Sequence, residues 1–168
     1  AGRLSQQSRK MKRVRTNLSA DLQEYLDELK PMFQRYDLKL TTAIEPDIYA
    51  KTDYHALRRV VTALADNAIK YSPPGRRSLS VSLQRANSGC ELRFSDNGVG
   101  IARHEQEQVF ERFYRTGEEK TRSVKGTGIG LFLVKQIVRE HGGSVMIESE
   151  GQDKGTTFVI KLPSENAA

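Results

Sequence analysis

Leu79-Ser80-Val81-Ser82-Leu83-Gln84-Arg85-Ala86-Asn87-Ser88-Gly89-Cys90-Glu91-Leu92-Arg93-Phe94-Ser95 alternates apolar and polar residues on either side of an Asn-Ser-Gly turn. A period of two means that each half has one face to bury, and the turn makes the halves neighbouring strands. Upstream, Leu38 to Ile44 alternates in the same way, and Ile48 to Lys51 forms a short second strand after the break at Glu45-Pro46-Asp47. Thr52 or Asp53 then caps a helix whose apolar face is Leu57, Val60, Val61, Leu64 and Ala68, ended by Ser72-Pro73-Pro74-Gly75. Leu22, Leu26 and Leu29 mark an earlier helix that begins near Ser19 or Asp21 and ends near Tyr36, with Pro31 as a kink or a restart. Leu4, Met11, Val14 and Leu18 recur at helical spacing, so residues 3–16 read as the end of another helix.

Downstream, a helix is expected from Glu105 to Phe110, then a polar stretch, Thr116 to Lys125, with so little to bury that it should be mobile. Leu131, Val134, Ile137 and Val138 mark a last helix, stopped by His141-Gly142-Gly143, before strands at Ser144 to Ser149 and Thr156 to Leu162. Strands and helices in this order do not alternate as in a doubly wound fold. They predict an α+β domain: a two-layer α/β sandwich whose mixed, mostly antiparallel sheet carries its helices on one face.

The 168 residues are 37% hydrophobic, enough for one core and an appendage. No apolar run approaches the roughly 20 residues of a membrane helix, and no leader is expected. Cys90 is the only cysteine, so no internal disulfide forms, and its strand context reads as a small buried thiol. The net charge of +6 arises from Arg3, Arg9, Lys10, Lys12, Arg13 and Arg15, all before the first acid; beyond them acids and bases balance. These read as a solvated helix face. Without interleaved aromatic residues to stack bases, no nucleic-acid partner is expected.

Three stretches carry chemistry. In Asp66-Asn67-Ala68-Ile69-Lys70-Tyr71, helical spacing puts Ala63, Asn67, Lys70 and Tyr71 beside the apolar face. Asn67 offers a neutral oxygen suited to a hydrated Mg²⁺, and Lys70 a point charge for phosphate. In Ser95-Asp96-Asn97-Gly98-Val99-Gly100 a carboxylate closes a strand ahead of two glycines. Such a carboxylate can accept from a purine amine, and Gly98 and Gly100 permit close approach or positive φ; the tripeptide is equally a good turn. Gly126-Thr127-Gly128-Ile129-Gly130-Leu131 opens into a helix, where free amides and the helix dipole favour phosphate. The spacing matches neither the dinucleotide fingerprint nor the GxxxxGK[ST] loop.

With Phe110 to Arg115 between the second and third stretches, this order resembles the catalytic domain of bacterial sensor histidine kinases: N box at 66–71, G1 box at 96–100, F box at 110–115 and G2 box at 126–131. Gly155-Thr156-Thr157-Phe158 resembles the closing motif on the last strand, and the likeness runs from about Asp21 to Pro163. The resemblance implies the Bergerat-type ATP-binding fold of gyrase, Hsp90 and MutL proteins, with a mobile ATP lid, and ATP and Mg²⁺ as ligands. It implies that Asn67 holds Mg²⁺, Lys70 the phosphates, Asp96 the adenine amine, Tyr71 the adenosine and Thr157 the adenine edge. Arg115 would reach the terminal phosphate, Lys125, Gly126, Thr127, Gly128, Ile129 and Gly130 would form the phosphate loop, and Ile101, Leu131 and Phe158 would wall the purine. Asn67, Lys70 and Arg115 thus form the expected catalytic set. Phe110 and Phe113 anchor the lid. The family's second asparagine, four residues before the metal ligand, is Ala63 here.

None of His55, His104 and His141 sits in the family's acceptor pattern, so the phosphoryl acceptor is expected on a separate dimerisation and histidine phosphotransfer domain. The division implied is 1–20 as the end of a dimerisation helix and linker, 21–163 as the catalytic ATP-binding domain, and 164–168 as a disordered tail. A homodimer and a response regulator are the implied partners. The domain would be cytoplasmic, with any inner-membrane attachment made by other segments. Two alternatives stay open: a nucleotide-binding regulatory module without kinase activity, motivated by Ala63, and a serine kinase of the anti-sigma-factor type. Asp66 is either a surface carboxylate or a residue that orients water for slow hydrolysis.

Overall fold

The computed structural model describes residues 10–111, 129–151 and 153–165. The first element is a strand, β1 (Val14–Asn17), not the tail of a helix. Val14 is 59% exposed and Leu18 4%, so the helical spacing joined residues that belong to different elements. β1 pairs antiparallel with β3 (Tyr49–Thr52), where Thr16 and Thr52 share a hydroxyl–hydroxyl bond of 2.6 Å. Asn17 ends the strand and caps α1 (Leu18–Glu28), its side chain accepting from the Ala20 N–H. The expected boundary at residue 20 falls inside α1.

α1 buries Leu18, Leu22 and Leu26 on one stripe. Pro31, which has no N–H to continue that helix, opens a new one, α2 (Lys30–Arg35). β2 (Leu38–Ile44) follows, then β3 and α3 (Tyr54–Tyr71). Asp53 caps α3 by accepting from the Ala56 N–H (3.1 Å), and Leu57, Val60, Val61, Leu64, Ala65, Ala68 and Ile69 form its buried face. β4 (Arg77–Ala86) and β5 (Gly89–Asp96) make the expected hairpin. The helix expected from Glu105 to Phe110 is instead two 3₁₀ turns, Arg103–Glu105 and Gln108–Phe110. Only Val109 and Phe110 there are buried within the turns, too short an apolar stripe to support an α-helix. The chain closes with α4 (Ile129–Glu140), β6 (Ser144–Glu148) and β7 (Thr156–Pro163).

The main sheet has the order β2-β4-β5-β7-β6. β2 and β4 are parallel, joined by a crossover through α3, and the remaining neighbours are antiparallel. This is the mixed, mostly antiparallel α+β architecture the pattern predicts. The inward residues of the sheet, among them Leu79, Val81, Phe94, Phe158 and Ile160, pack with Leu64, Ala68, Val134 and Val138 of α3 and α4 in one core. Each fully buried side chain of this kind contributes roughly 1.5–3 kcal/mol. Cys90 is buried as expected, and burial pushes its thiol up to about 11. Glu165 lies within the expected tail, yet its N–H donates to the Tyr49 carbonyl and its carboxylate pairs with Arg15 and Lys51. Glu165 thus packs beside β1 and β3.

Candidate nucleotide site

The site forms where the end of α3, the loop after β5 and the hairpin between β6 and β7 meet backbone to backbone. The Val99 N–H donates to the Tyr71 carbonyl (3.0 Å), and the Gly155 N–H donates to the Gly98 carbonyl (3.1 Å). A methyl group on Gly98 would stand 2.6 Å from the Tyr71 oxygen, and one on Gly155 2.4 Å from the Asp96 carbonyl oxygen. Gly100, with φ +72°, would drive a methyl to 2.0 Å from the Gly151 oxygen. The protein itself therefore demands these glycines, so that three segments can close on one another.

That seam brings the loop that follows Asp96 against the end of α3, the helix that carries Asn67, Lys70 and Tyr71. Asp96 Oδ1 accepts from the Gly98 N–H (2.8 Å) and the Thr156 N–H (3.2 Å). Burial raises its carboxyl to about 6 against the pull of these two amides, so it is ionised at neutral pH. Its second oxygen makes no hydrogen bond to a described residue, which leaves an acceptor for a ligand donor. Asn67 is half-buried, and its amide also has no partner among the described residues. Lys70 is held by Asp66, one helical turn earlier, at 2.9 Å. Asp66 in the site is therefore the partner of the proposed phosphate cation, and a phosphate must compete with it for Lys70. Arg77 donates to the Ile69 carbonyl (2.9 Å), satisfying an orphan acceptor at the end of α3.

Ile101 is buried, and its N–H donates to Ser149 Oγ (3.2 Å). Leu131 is half-buried against the core at the start of α4. A methyl on Gly130 would lie 3.8 Å from the Ala63 Cβ, an ordinary contact, so packing among described residues does not require glycine there. Phe110 and Phe158 pack edge to face, 6.3 Å between centroids, which makes Phe110 an anchor for the chain that follows it. Phe158 is 1% exposed and serves the core. Arg115, Lys125, Gly126, Thr127 and Gly128, the side chain of Ile129, Phe113 and the expected lid at 116–125 lie outside the described residues.

Alternation along β7 turns Thr157 to the face opposite Phe158, where it shares a 2.8 Å hydrogen bond with Ser95. Thr156 is buried on the same face as Asp96 and donates its N–H to it, and both threonines line the cleft at Asp96. Other residues escape a sequence reading. Asn97 Oδ1 accepts from the Ser78 N–H (2.9 Å) and its amide donates to the Arg76 carbonyl, pinning the loop to the start of β4. Ser149 Oγ donates to the Gly155 carbonyl (2.8 Å), and Gln106 donates to the Ile101 (3.0 Å) and Ser149 (3.2 Å) carbonyls. An asparagine in a Asp-Asn-Gly turn is the one signal that could have found any of them.

Fold and site together define a nucleotide-binding domain with a buried carboxylate at a strand end, in a loop that closes on a helix end. Residues 52–166 match the family described as Histidine kinase-, DNA gyrase B-, and HSP90-like ATPase. The chain is 44% identical over 111 residues to the sensor protein SrrB of Staphylococcus aureus, a match covering 66% of this chain and 19% of that protein. It is 32% identical to the mycobacterial sensor histidine kinase MprB, with a TM-score of 0.76 over 91% of this chain and 98% of that one. Full-length ShkA in complex with AMPPNP shares the fold, with a TM-score of 0.78 at 21% identity, over 99% of this chain and 34% of that one. The chain belongs to the histidine kinase-, gyrase- and Hsp90-like ATPase family. Within that family it is an ATP-binding catalytic domain of the sensor histidine kinase type. Among the described residues no helix is long and apolar enough to cross a membrane.

Proposed function

We propose that this domain binds ATP with Mg²⁺ and presents the γ-phosphoryl to a histidine on the dimerisation domain of its own kinase, for relay to a response-regulator aspartate. The observation that carries the reading is Asp96: one oxygen is pinned by two loop amides, the other is left as an acceptor, and its loop closes on the end of the helix that carries Asn67 and Lys70. That carboxylate accepts from the adenine amine, and Thr156 and Thr157 border the same pocket. The neutral Asn67 oxygen, without a protein partner among the described residues, fits a hard divalent ion that keeps most of its waters. Bound there, Mg²⁺ would neutralise charge on the phosphates. Lys70 exchanges Asp66 for phosphate and stabilises the charge that develops as an imidazole nitrogen bonds to the γ-phosphorus and the bond to the β-phosphate oxygen breaks. ADP leaves, and the chemistry is positioning and electrostatics. Arg115 and the 125–130 loop amides complete the clamp on the phosphates.

Ala63, across from Gly130 at the start of α4, favours a second reading in which nucleotide is bound without transfer. Incubating the chain with its kinase's dimerisation domain, Mg²⁺ and γ-labelled ATP separates the two. Label on the acceptor histidine is expected; tight ATP binding with no label would establish the regulatory module instead. A third domain-level proposal is that dimerisation and response-regulator docking lie in the remainder of the kinase. Acid-stable phosphoserine on a partner would mark the anti-sigma-factor alternative.

A further inference from the structure

Far from the nucleotide, a second constellation joins the N-terminal strand to both helices of the site. Asp53 is 6% exposed and binds three elements. Its Oδ1 caps α3 through the Ala56 N–H (3.1 Å), and its Oδ2 accepts from the Lys12 N–H (2.9 Å) just before β1. Its own N–H donates to His141 Nε2 (3.0 Å) at the end of α4. His141 is 3% exposed, and its Nδ1 faces the Ile137 carbonyl (2.8 Å). A ring that accepts at Nε2 carries its proton on Nδ1 and donates it to that carbonyl, so both nitrogens are occupied.

The two helices therefore run antiparallel, tied at one end by Asp53 and His141 and approaching each other at the other end at Ala63 and Gly130. Asn67 lies about 20 Å along α3 from Asp53, at 1.5 Å per residue. Helices this well packed move as rods, so a tie at their far ends sets the spacing between the metal-binding face of α3 and the phosphate-binding entrance of α4. At Gly130 even an added methyl would lie 3.8 Å from the Ala63 Cβ, so packing there is not tight enough to do so alone.

We propose that Asp53 and His141 are positioning residues that couple docking of the N-terminal strand to nucleotide binding. The proposal rests on the ATP reading above and adds its regulation: whatever loosens residues 12–17 from Asp53 and β3 loosens the nucleotide site, and nucleotide in turn tightens the strand. Asp53→Asn isolates the contact. Asparagine caps a helix as well as aspartate, so it keeps the Ala56 bond, but it turns an NH₂ toward the Lys12 N–H.

Amide hydrogen exchange at Lys12 to Asn17, with and without AMPPNP and Mg²⁺, tests it on the 168-residue chain. Nucleotide should slow these amides about three- to tenfold, the factor that one net hydrogen bond supplies. In Asp53→Asn the response should fall below about twofold, and AMPPNP affinity should drop by a factor of the same order. His141→Gln, whose Oε1 replaces the Nε2 acceptor, should keep the response, whereas His141→Leu should lose it; this pair decides should Asp53→Asn fail to fold. AMPPNP that binds without altering strand exchange refutes the coupling alone, as does a full response in Asp53→Asn or His141→Leu. A wild-type chain that binds no AMPPNP refutes the ATP reading and takes the coupling with it.

Discussion

Replacing Asp96 by asparagine separates what this side chain does for the ligand from what it does for the fold. The amide oxygen can keep the Oδ1 seat between the Gly98 and Thr156 N–H groups, so the loop stays in place. The NH₂ then occupies the free position and meets the adenine amine donor to donor. An unsatisfied buried pair costs about 1–3 kcal/mol, so ATP affinity should fall roughly 5- to 150-fold in calorimetric titration. Guanine, which presents a carbonyl oxygen at the corresponding position, should lose less, narrowing the preference for ATP over GTP. Stability should move the opposite way. Burial pushes the carboxyl up to about 6 in the folded protein, roughly two units above an ordinary aspartate, so ionising it costs about 3 kcal/mol of stability at neutral pH. Because the folded pKa lies above the unfolded one, the folded protein holds the extra proton between about pH 4 and 6. The wild type therefore loses stability as pH rises through that window, and Asp96→Asn lacks that loss. Unchanged ATP affinity, or a variant less stable at pH 7 than the wild type, would refute the argument.

Other outcomes follow from the same geometry. Gly100→Ala forces a methyl against the Gly151 carbonyl at positive φ and should destabilise by about 2–4 kcal/mol in denaturant unfolding. Asn97→Ala removes two bonds between the loop and the start of β4; both freed groups are near solvent, so about 1 kcal/mol is expected, with weaker ATP binding as the loop loosens. Thr157→Val should leave ATP affinity within about twofold, while Thr156→Pro, which deletes the N–H bonded to Asp96, should abolish binding; equal effects would give Thr157 an equal share in the site. Cys90, buried and with its thiol raised to about 11, should resist thiol reagents until the protein unfolds, as a rapid titration at pH 8 would reveal.

The parts of the site legible in the sequence are those whose partners lie within a few residues. Asn67, Lys70 and Tyr71 share a helix face because of the helical period, and Asp96 precedes two glycines because strand and turn are local events. The β4–β5 hairpin and the last helix, with its Gly142-Gly143 stop, are of the same kind. Where only the phase or the far partner decides, the sequence is silent. Thr156 and Thr157 are adjacent threonines, and which of them shares a face with Asp96 is set by the register of β7 against β5. Leu18 and Val14 share a helical spacing, yet β1 exists because Tyr49–Thr52 offers a free edge on the other side of α1.

Local sequence thus determined most of the elements, the hairpin, the glycine boxes and the family, because periodicity, caps and turn chemistry act over one or two turns of chain. Tertiary structure alone decided that the glycines of the Asp96 loop serve closure of the protein on itself. It alone tied Lys12, Asp53 and His141 together across up to 88 residues of chain. Such contacts leave no periodic trace: burial and hydrogen-bond satisfaction are settled only when distant segments meet, and one residue's shift in strand register reverses which side chain faces the nucleotide.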